Sequence, residues 1–360
     1  MKKSLEQLRV EIDQLDEQLL VLISARAVCA SEVGACKRAQ GEEGCEFYRP
    51  EREANILRKV AQHNPGPLAN EEMARLFREI MSACLALERQ LNIAFLGPAA
   101  TFTEEAALKH FGHSVKTSAM NSIAEVFREV ESGAANYGVV PIENSTEGVI
   151  THTLDNFTRS PLKIVGEVEL RIHHYLLSRE TDMNKVTQIN SHQQSLAQCR
   201  KWLDANMGAV PREAVGSNAQ AALIAQQRAG VAAIASHSAA ETYGLNVLAS
   251  NIEDMPDNTT RFLVIGSNTV APSGVDKTSL LVSAPNKAGA LYSLLQPFAK
   301  HHVSMTRIES RPSRSANWEY VFFLDLDGHA EDKPLKLALQ ELAEVSDMVH
   351  VLGSYPKAVL

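Results

Sequence analysis

The sequence predicts a multidomain chain: an all-α helical segment, then an α/β segment, then a small α+β module of ferredoxin-like order. Three observations carry this. Residues 4–89 keep a helical period throughout, and at Asn92 short apolar runs begin to alternate with helical ones. Beyond APSGVDK (271–277), a linker by composition, the remaining runs read β-α-β-β-α-β. The expected domains are 1–91, 92–271 and 278–357.

In the first segment Leu5, Leu8, Ile12, Leu15, Leu19 and Leu22 recur at alternating spacings of three and four, the seam of a coiled-coil-like helix. Ser4 and Gln7 have capping-box spacing, so the helix is expected to start there. No strong breaker follows until Gly41 and Gly44, which makes a rod of roughly 55 Å. A helix that long needs a partner, most simply the same helix of a second chain. A homodimer is therefore expected, or a higher oligomer built from it. A second helix follows Pro50 and a third covers about 70–91.

Charges interrupt the apolar faces of these helices. The first seam continues through Arg26, Val33 and Lys37, and Arg9 lies one residue off it. Arg52 and Glu53 fall four residues before Ile56 and Leu57, on the inner face of the second helix, and Glu88 falls four after Cys84 on the third. Inward charges are costly unless paired or bound to a ligand. An internal salt network of Arg26 and Lys37 with Glu53 and Glu88 is one reading; it leaves cations over, which a dianionic ligand would absorb.

In the second segment polar residues stand at strand ends just before helices: Thr101, Thr103, Asn144, Ser145, Ser191, Ser217, Asn218 and Ser236. The carboxyl ends of strands line the ligand crevice of open α/β sheets, and helix N-termini there attract carboxylates. Taken singly, most of these residues read better as plain helix N-caps, the commonest use of these residue types. No G-x-G-x-x-G follows a strand and no phosphate-binding G-x-x-x-x-G-K-[ST] loop occurs. His173–His174 and His301–His302 lack metal-ligand spacing and read as ordinary strand or surface residues, so no cofactor and no metal are expected.

The net charge of −8 gives no electrostatic case for nucleic acid. The N-terminus carries charges on every turn, unlike a secretory signal, and no window reads as the roughly 20 apolar residues of a membrane span. Five cysteines without a C-x-x-C pair read as reduced thiols in a cytoplasmic protein.

LRVEIDQLDEQLLVLISAR (8–26), EVGACK (32–37) and YRPERE (48–53) resemble the all-helical chorismate mutase domain. The resemblance implies that Arg9 (from the partner chain), Arg26, Lys37, Arg52, Glu53 and Glu88 bind chorismate, with Lys37 and Glu88 catalytic at the ether oxygen. Glutamine is often found where Glu88 stands, and serine where Cys84 stands. A glutamate donates only when protonated, so the mutase step is expected to fall as pH rises.

IAFLGPAATFTEEAA (93–107), GVVPIENSTEGVI (138–150), SHQQSLAQC (191–199) and NTTRFLVIG (258–266) resemble prephenate dehydratase. This implies two α/β lobes around a cleft, with the strand of Thr260 returning to the first lobe. It also implies that Thr260 is catalytic and that Thr101, Glu143, Asn144, Ser145, Ser191, Gln198, Thr260, Arg261 and Phe262 bind prephenate. Residues 278–357 resemble an ACT domain, which implies phenylalanine binding by Asn286, Gly289, Ala290, Leu291, Glu309, Ser310 and Arg311. The combined expectation is a two-step enzyme, chorismate to prephenate to phenylpyruvate, inhibited by phenylalanine. Deleting 272–360 is expected to release that inhibition. The rival readings are a dehydratase whose helical domain only dimerises, and a solute-binding sensor.

Overall fold

Residues 3–39, 47–284, 287–312 and 320–359 are described in the computed structural model. They fall into two units: 1–91 with 111–116 and 359–360, and 92–110 with 117–358.

The first unit is helical: α1 (Leu5–Ala39), α2 (Pro50–His63) and α3 (Asn70–Glu88). Ser4 and Gln7 form the reciprocal cap that their spacing predicts. The Ser4 hydroxyl accepts from the Gln7 N–H at 3.2 Å, and the Gln7 side chain accepts from the Ser4 N–H at 2.9 Å. Pro50 opens α2, where its missing N–H costs nothing. Gly34 is the buried residue of α1, and it lets that helix close on α3: a Cβ there would stand 3.2 Å from the Glu88 backbone. Leu57, Ala74 and Met81 form the small buried core.

The apolar seam of α1 is uncovered, with Leu5 68%, Leu15 52% and Leu22 66% exposed. Contrary to the sequence expectation, α1 is long and apolar enough to cross a membrane, with a mean hydropathy of 1.7 over 18 residues. Its seam is apolar for helix pairing, and a composition test does not separate the two cases. Arg26 and Lys37 on the same helix line the polar pocket described below.

The second unit begins with β1 (Asn92–Leu96), α4 (Phe102–Phe111), β2 (Lys116–Met120), α5 (Ile123–Glu131), β3 (Tyr137–Asn144), β4 (Gly148–Val149), α6 (Thr151–Phe157) and β5 (Lys163–Arg171). The second lobe holds β6 (Tyr175–Ser178), β7 (Gln188–His192), α7 (Gln193–Gln198), α8 (Arg200–Met207), β8 (Arg212–Val215), α9 (Asn218–Gln227), β9 (Val231–Ala235), α10 (His237–Tyr243) and β10 (Asn246–Ala249). Then β11 (Thr259–Gly266) returns to the first lobe, as expected, and the order there is β2-β1-β3-β11-β5 with β4 on β3. The second-lobe order is β10-β6-β9-β7-β8.

The chain ends in β12 (Asp276–Ala284), α11 (Ala290–Lys300), β13 (Met305–Pro312), β14 (Tyr320–Asp327), α12 (Lys333–Val345) and β15 (Met348–Pro356). Their sheet is antiparallel, in the order β13-β14-β12-β15. The βαββαβ order and this sheet make the expected ferredoxin-like module.

Two expectations about that module change. The segment read as a linker is a tight turn, in which Asp276 accepts from the Ser273 N–H at 2.8 Å and the Gly274 N–H at 3.0 Å. Nor does the module stand apart. Leu281, Phe323, Leu352 and Tyr355 share one buried core with Ile142, Leu154, Ile164 and Leu263 of the first lobe. At Gly353 the strands meet so closely that a side chain would overlap the Ile164 carbonyl. Deleting 272–360 would therefore uncover part of the dehydratase core, so clean release from inhibition is no longer the expected outcome.

Candidate active sites

In the helical unit a cavity of about 950 Å³ is lined by Arg26, Lys37, Arg52, Glu53 and Glu88, with Cys84 and Phe47 beside them. Lys37 Nζ lies 3.4 Å from Glu88 Oε2 and 5.1 Å from the centre of the Phe47 ring. Glu53 pairs instead with Arg78 at 3.7 Å, a residue the sequence did not single out. Among the described residues Arg26 and Arg52 form no ion pair, nor do Arg49 and Lys59 on the same wall, so the salt-network reading accounts for Lys37 but leaves four cations over. Burial pushes the Glu53 carboxyl up to about 7, with Arg78 opposing. Arg9 does not line the cavity; it lies on the exposed part of α1.

Between the α/β lobes a cavity of about 430 Å³ is lined by Thr101, Asn144, Gln198, Thr260 and Phe262. Ser217 and Ser236 also line it, and each caps a helix, α9 and α10, so the capping reading holds for both. The N-termini of these helices face a cavity suited to carboxylates.

The polar groups at its base form a closed ring. Gln198 Nε2 donates to Thr146 Oγ1 at 3.1 Å, and Thr146 Oγ1 donates to Asn144 Oδ1 at 2.6 Å. Asn144 Nδ2 donates to Asn258 Oδ1 at 3.0 Å, and Asn258 Nδ2 donates back to Gln198 Oε1 at 3.2 Å. The backbone N–H groups of Thr146 and Glu147 also donate to Asn144 Oδ1, which sets the direction of the ring. Asn144 Nδ2 further donates to Thr260 Oγ1 at 2.8 Å. Thr260 Oγ1 thus accepts from the protein, and among the described residues no hydrogen bond from its own hydroxyl is found.

Contrary to the expectation of an ordinary strand or surface histidine, His174 is buried and lines the cleft. Its Nε2 lies 2.9 Å from Gln198 Oε1, its Nδ1 has no hydrogen-bond partner, and burial lowers its pKa. Asn258 and His174, which line the cleft, and Thr146, which joins the ring without lining it, are among the residues the sequence analysis does not single out. Asn258 stands inside the quoted NTTRF run, so the signal for it was present.

Four expected prephenate ligands stand elsewhere. Arg261 is on the opposite face of the sheet, because neighbours along β11 alternate and Thr260 and Phe262 take the cleft side. Glu143 also leaves the cleft and pairs with Arg307 at 3.2 Å. Ser191 is fully buried and donates to the Ile234 carbonyl at 2.7 Å, and Ser145 accepts from the Thr259 N–H at 3.0 Å. The last two support the walls rather than line them.

In the C-terminal module Gly289 precedes α11 in a left-handed conformation (φ 79°), and Ala290 and Leu291 begin the helix. Glu309, Ser310 and Arg311 lie on the edge strand β13, which β14 separates from β12. Within one chain the two motifs are not side by side, and Arg311 pairs with Asp155 at 3.5 Å. Asn286 lies outside the described residues.

A charged cavity in a helical unit, a polar cleft between α/β lobes and a ferredoxin-like module describe a multidomain protein with two separate small-molecule pockets. Family models match in the same order: chorismate mutase type II over 8–89, prephenate dehydratase over 93–270 and the ACT domain over 278–344. The chain is 57% identical over 359 residues to the bifunctional chorismate mutase/prephenate dehydratase of Stutzerimonas stutzeri, covering 99% of this chain and 98% of that one.

Among solved structures, the prephenate dehydratase of Arthrobacter aurescens in complex with L-Phe is 35% identical, with a TM-score of 0.69, covering 74% of this chain and 90% of that one. A structure described as GqqA, a novel type of quorum quenching acylases, is 30% identical with the same TM-score of 0.69, covering 74% of this chain and 98% of that one. The fold alone therefore does not select the chemistry; the full-length relative does. The chain belongs to the family of bifunctional chorismate mutase/prephenate dehydratases.

Proposed function

We propose that chorismate rearranges in the helical cavity and that prephenate loses CO2 and hydroxide in the cleft, with Thr260 donating to the departing oxygen. The rearrangement is pericyclic and needs no nucleophile; it needs a compact conformer and stabilisation of charge on the ether oxygen. Arg26 and Arg52, two cations of the cavity wall that form no ion pair, clamp the carboxylates, and Lys37 with Glu88 serves the ether oxygen. Arg9 completes the site from a second copy, brought in when the exposed α1 seams pair. The assembly is a homodimer or a multiple of it, and it works in the cytoplasm.

The observation that carries the dehydratase assignment is the hydrogen bond from Asn144 Nδ2 to Thr260 Oγ1, because it uses the hydroxyl as an acceptor and leaves its proton available to a ligand in the cleft. A threonine hydroxyl is a weak acid, so its part is a positioned hydrogen bond in a closed cleft. Thr101, Gln198 and Phe262 shape the pocket around it. Phenylalanine is the effector, held between the Gly289 turn of one chain and the Glu309–Arg311 edge of another, as the separation of the two motifs within one chain suggests.

Feeding chorismate to Thr260→Ala tests the assignment. Prephenate should accumulate while phenylpyruvate formation drops by about 10² or more. Wild-type phenylpyruvate formation by the variant would overturn the role of Thr260, and equal loss of both activities in a folded variant would show that the sites are not independent.

A further inference from the structure

Arg261 was displaced from the prephenate site by the alternation of β11, and what it touches instead leads into the C-terminal module. Its Nε lies 2.8 Å from Glu167 Oε2, its Nη1 2.5 Å from Asp325 Oδ2 and its Nη2 3.0 Å from Tyr355 Oη. Lys277 Nζ lies 2.7 Å from the same Glu167 oxygen, and Ser279 donates to the other Asp325 oxygen at 2.5 Å. Asp325, Lys277, Ser279 and Tyr355 belong to the C-terminal sheet; Arg261 and Glu167 belong to the first lobe. The side chains of Glu167 and Asp325 are 2% and 7% exposed, so the cluster is a buried one. Buried charges hold their places only while paired.

The neighbouring strand repeats the arrangement. Thr260 pairs in register with Asn144, and Arg261 with Glu143. Asn144 faces the cleft, while Glu143 turns away to Arg307 on β13. The register then breaks, Phe262 pairing with Pro141 so that Ile142 is skipped. Pro141 lines the cleft, and Ile142 packs in the core shared with the C-terminal sheet. Ile142 and Glu143 therefore stand in succession on the same face, the mark of a β-bulge. Without that bulge strict alternation would turn Asn144 toward the C-terminal module, because a one-residue slip exchanges the faces of a strand. The ion pairs at Arg261 and Glu143 sit at this bulge, where they oppose such a slip.

We propose that Asp325 and Arg307, both supplied by the C-terminal module, are positioning residues for prephenate dehydration. Holding Arg261 and Glu143 on one face of the sheet keeps Thr260 and Asn144 on the other, in the register that aims the threonine hydroxyl into the cleft. The module is then part of the support of the dehydratase site, besides any effector it binds. The proposal rests on the reading of Thr260 given above.

Arg307→Gln, Asp325→Asn and Thr260→Ala in the full-length chain test it, with kcat and KM for prephenate measured per folded chain. Chorismate consumption by the same samples serves as a control, since Arg307 and Asp325 lie outside the helical unit. Misplacing Thr260 should lower kcat by about tenfold to a hundredfold, with KM and chorismate turnover little changed. Arg307→Lys, which keeps the charge facing Glu143, should restore most of the loss. Arg307→Gln guards against a failure of Asp325→Asn to fold, because the Glu143 side chain it faces is 39% exposed and can be hydrated. If Thr260→Ala is inactive but folded Arg307→Gln has wild-type kcat, the positioning role falls and the Thr260 reading stands. If Thr260→Ala keeps wild-type kcat, both fall.

Discussion

Glu53 should make the helical unit less stable as pH rises, and Glu53→Gln should remove that dependence. Burial raises its carboxyl from 4.5 to about 7, with Arg78 3.7 Å away opposing the rise. Between those two values the folded chain holds a proton that the unfolded chain has released. Stability therefore falls as pH climbs from 4.5 to about 7 and is level above that. At about 1.36 kcal/mol per pH unit the difference is roughly 3 kcal/mol. That is an upper bound, because 16% of the side chain remains exposed. The amide of Glu53→Gln carries no charge at any pH, and Arg78 keeps its 3.1 Å hydrogen bond to the Val359 carbonyl.

Hydrogen exchange of α2 and α3 amides in the full-length chain reads the effect locally. Protection in Glu53→Gln should exceed wild type by up to about a hundredfold at pH 8, the factor that roughly 3 kcal/mol implies, and the excess should fade toward pH 4.5. Chorismate binding should follow the same curve in the wild-type chain, since a dianion meets a neutral Glu53 on the acid side and a carboxylate on the alkaline side. This dependence on Glu53 is separate from the one expected of Glu88 as a donor to the ether oxygen, and a pH profile of Glu53→Gln would leave the Glu88 contribution in place. A gain in protection equal at pH 5 and pH 8 would refute the reasoning.

Two further outcomes can be checked on the same chain. Gly353→Ala should force β15 away from β5, costing about 1–3 kcal/mol, so calorimetry should show a lower Tm and the assay less phenylpyruvate; an unchanged Tm would mean that the strands part at no cost. Cys199 is fully buried and its thiol is pushed well up by that burial, so iodoacetamide at pH 8 should leave it unmodified in the native chain and label it in urea, as mass spectrometry would show.

The parts of this molecule that were legible in the sequence are those set by local periods. Helical spacing from Leu5 onward, the shift to short apolar runs at Asn92 and the final βαββαβ order all depend on neighbours within a few residues, and all appear in the fold. The faces of β11 were legible too: period-two alternation alone forbids Thr260, Arg261 and Phe262 from sharing one pocket, yet all three were placed there. Glu143 and Asn144 are a harder case. Alternation does separate them, but which of the two faces the cleft depends on the bulge at Ile142, and a bulge is fixed by pairing with β11, more than a hundred residues away in the chain. The same holds for Glu53, whose partner Arg78 comes from another helix, and for His174, which was set aside on a spacing argument about metals although its burial is a tertiary fact. The misread residues share a cause. Arg261 and Glu143 are charged residues inside recognisable motifs, where a charge reads as a ligand contact; in the structure each pairs with a charge across the boundary between the first lobe and the C-terminal module, as Arg311 also does. Charges placed at such a boundary specify how two sheets sit against each other. A motif that joins Thr260 directly to Arg261 therefore ties the group facing the substrate to the group facing the module, one residue apart on one strand.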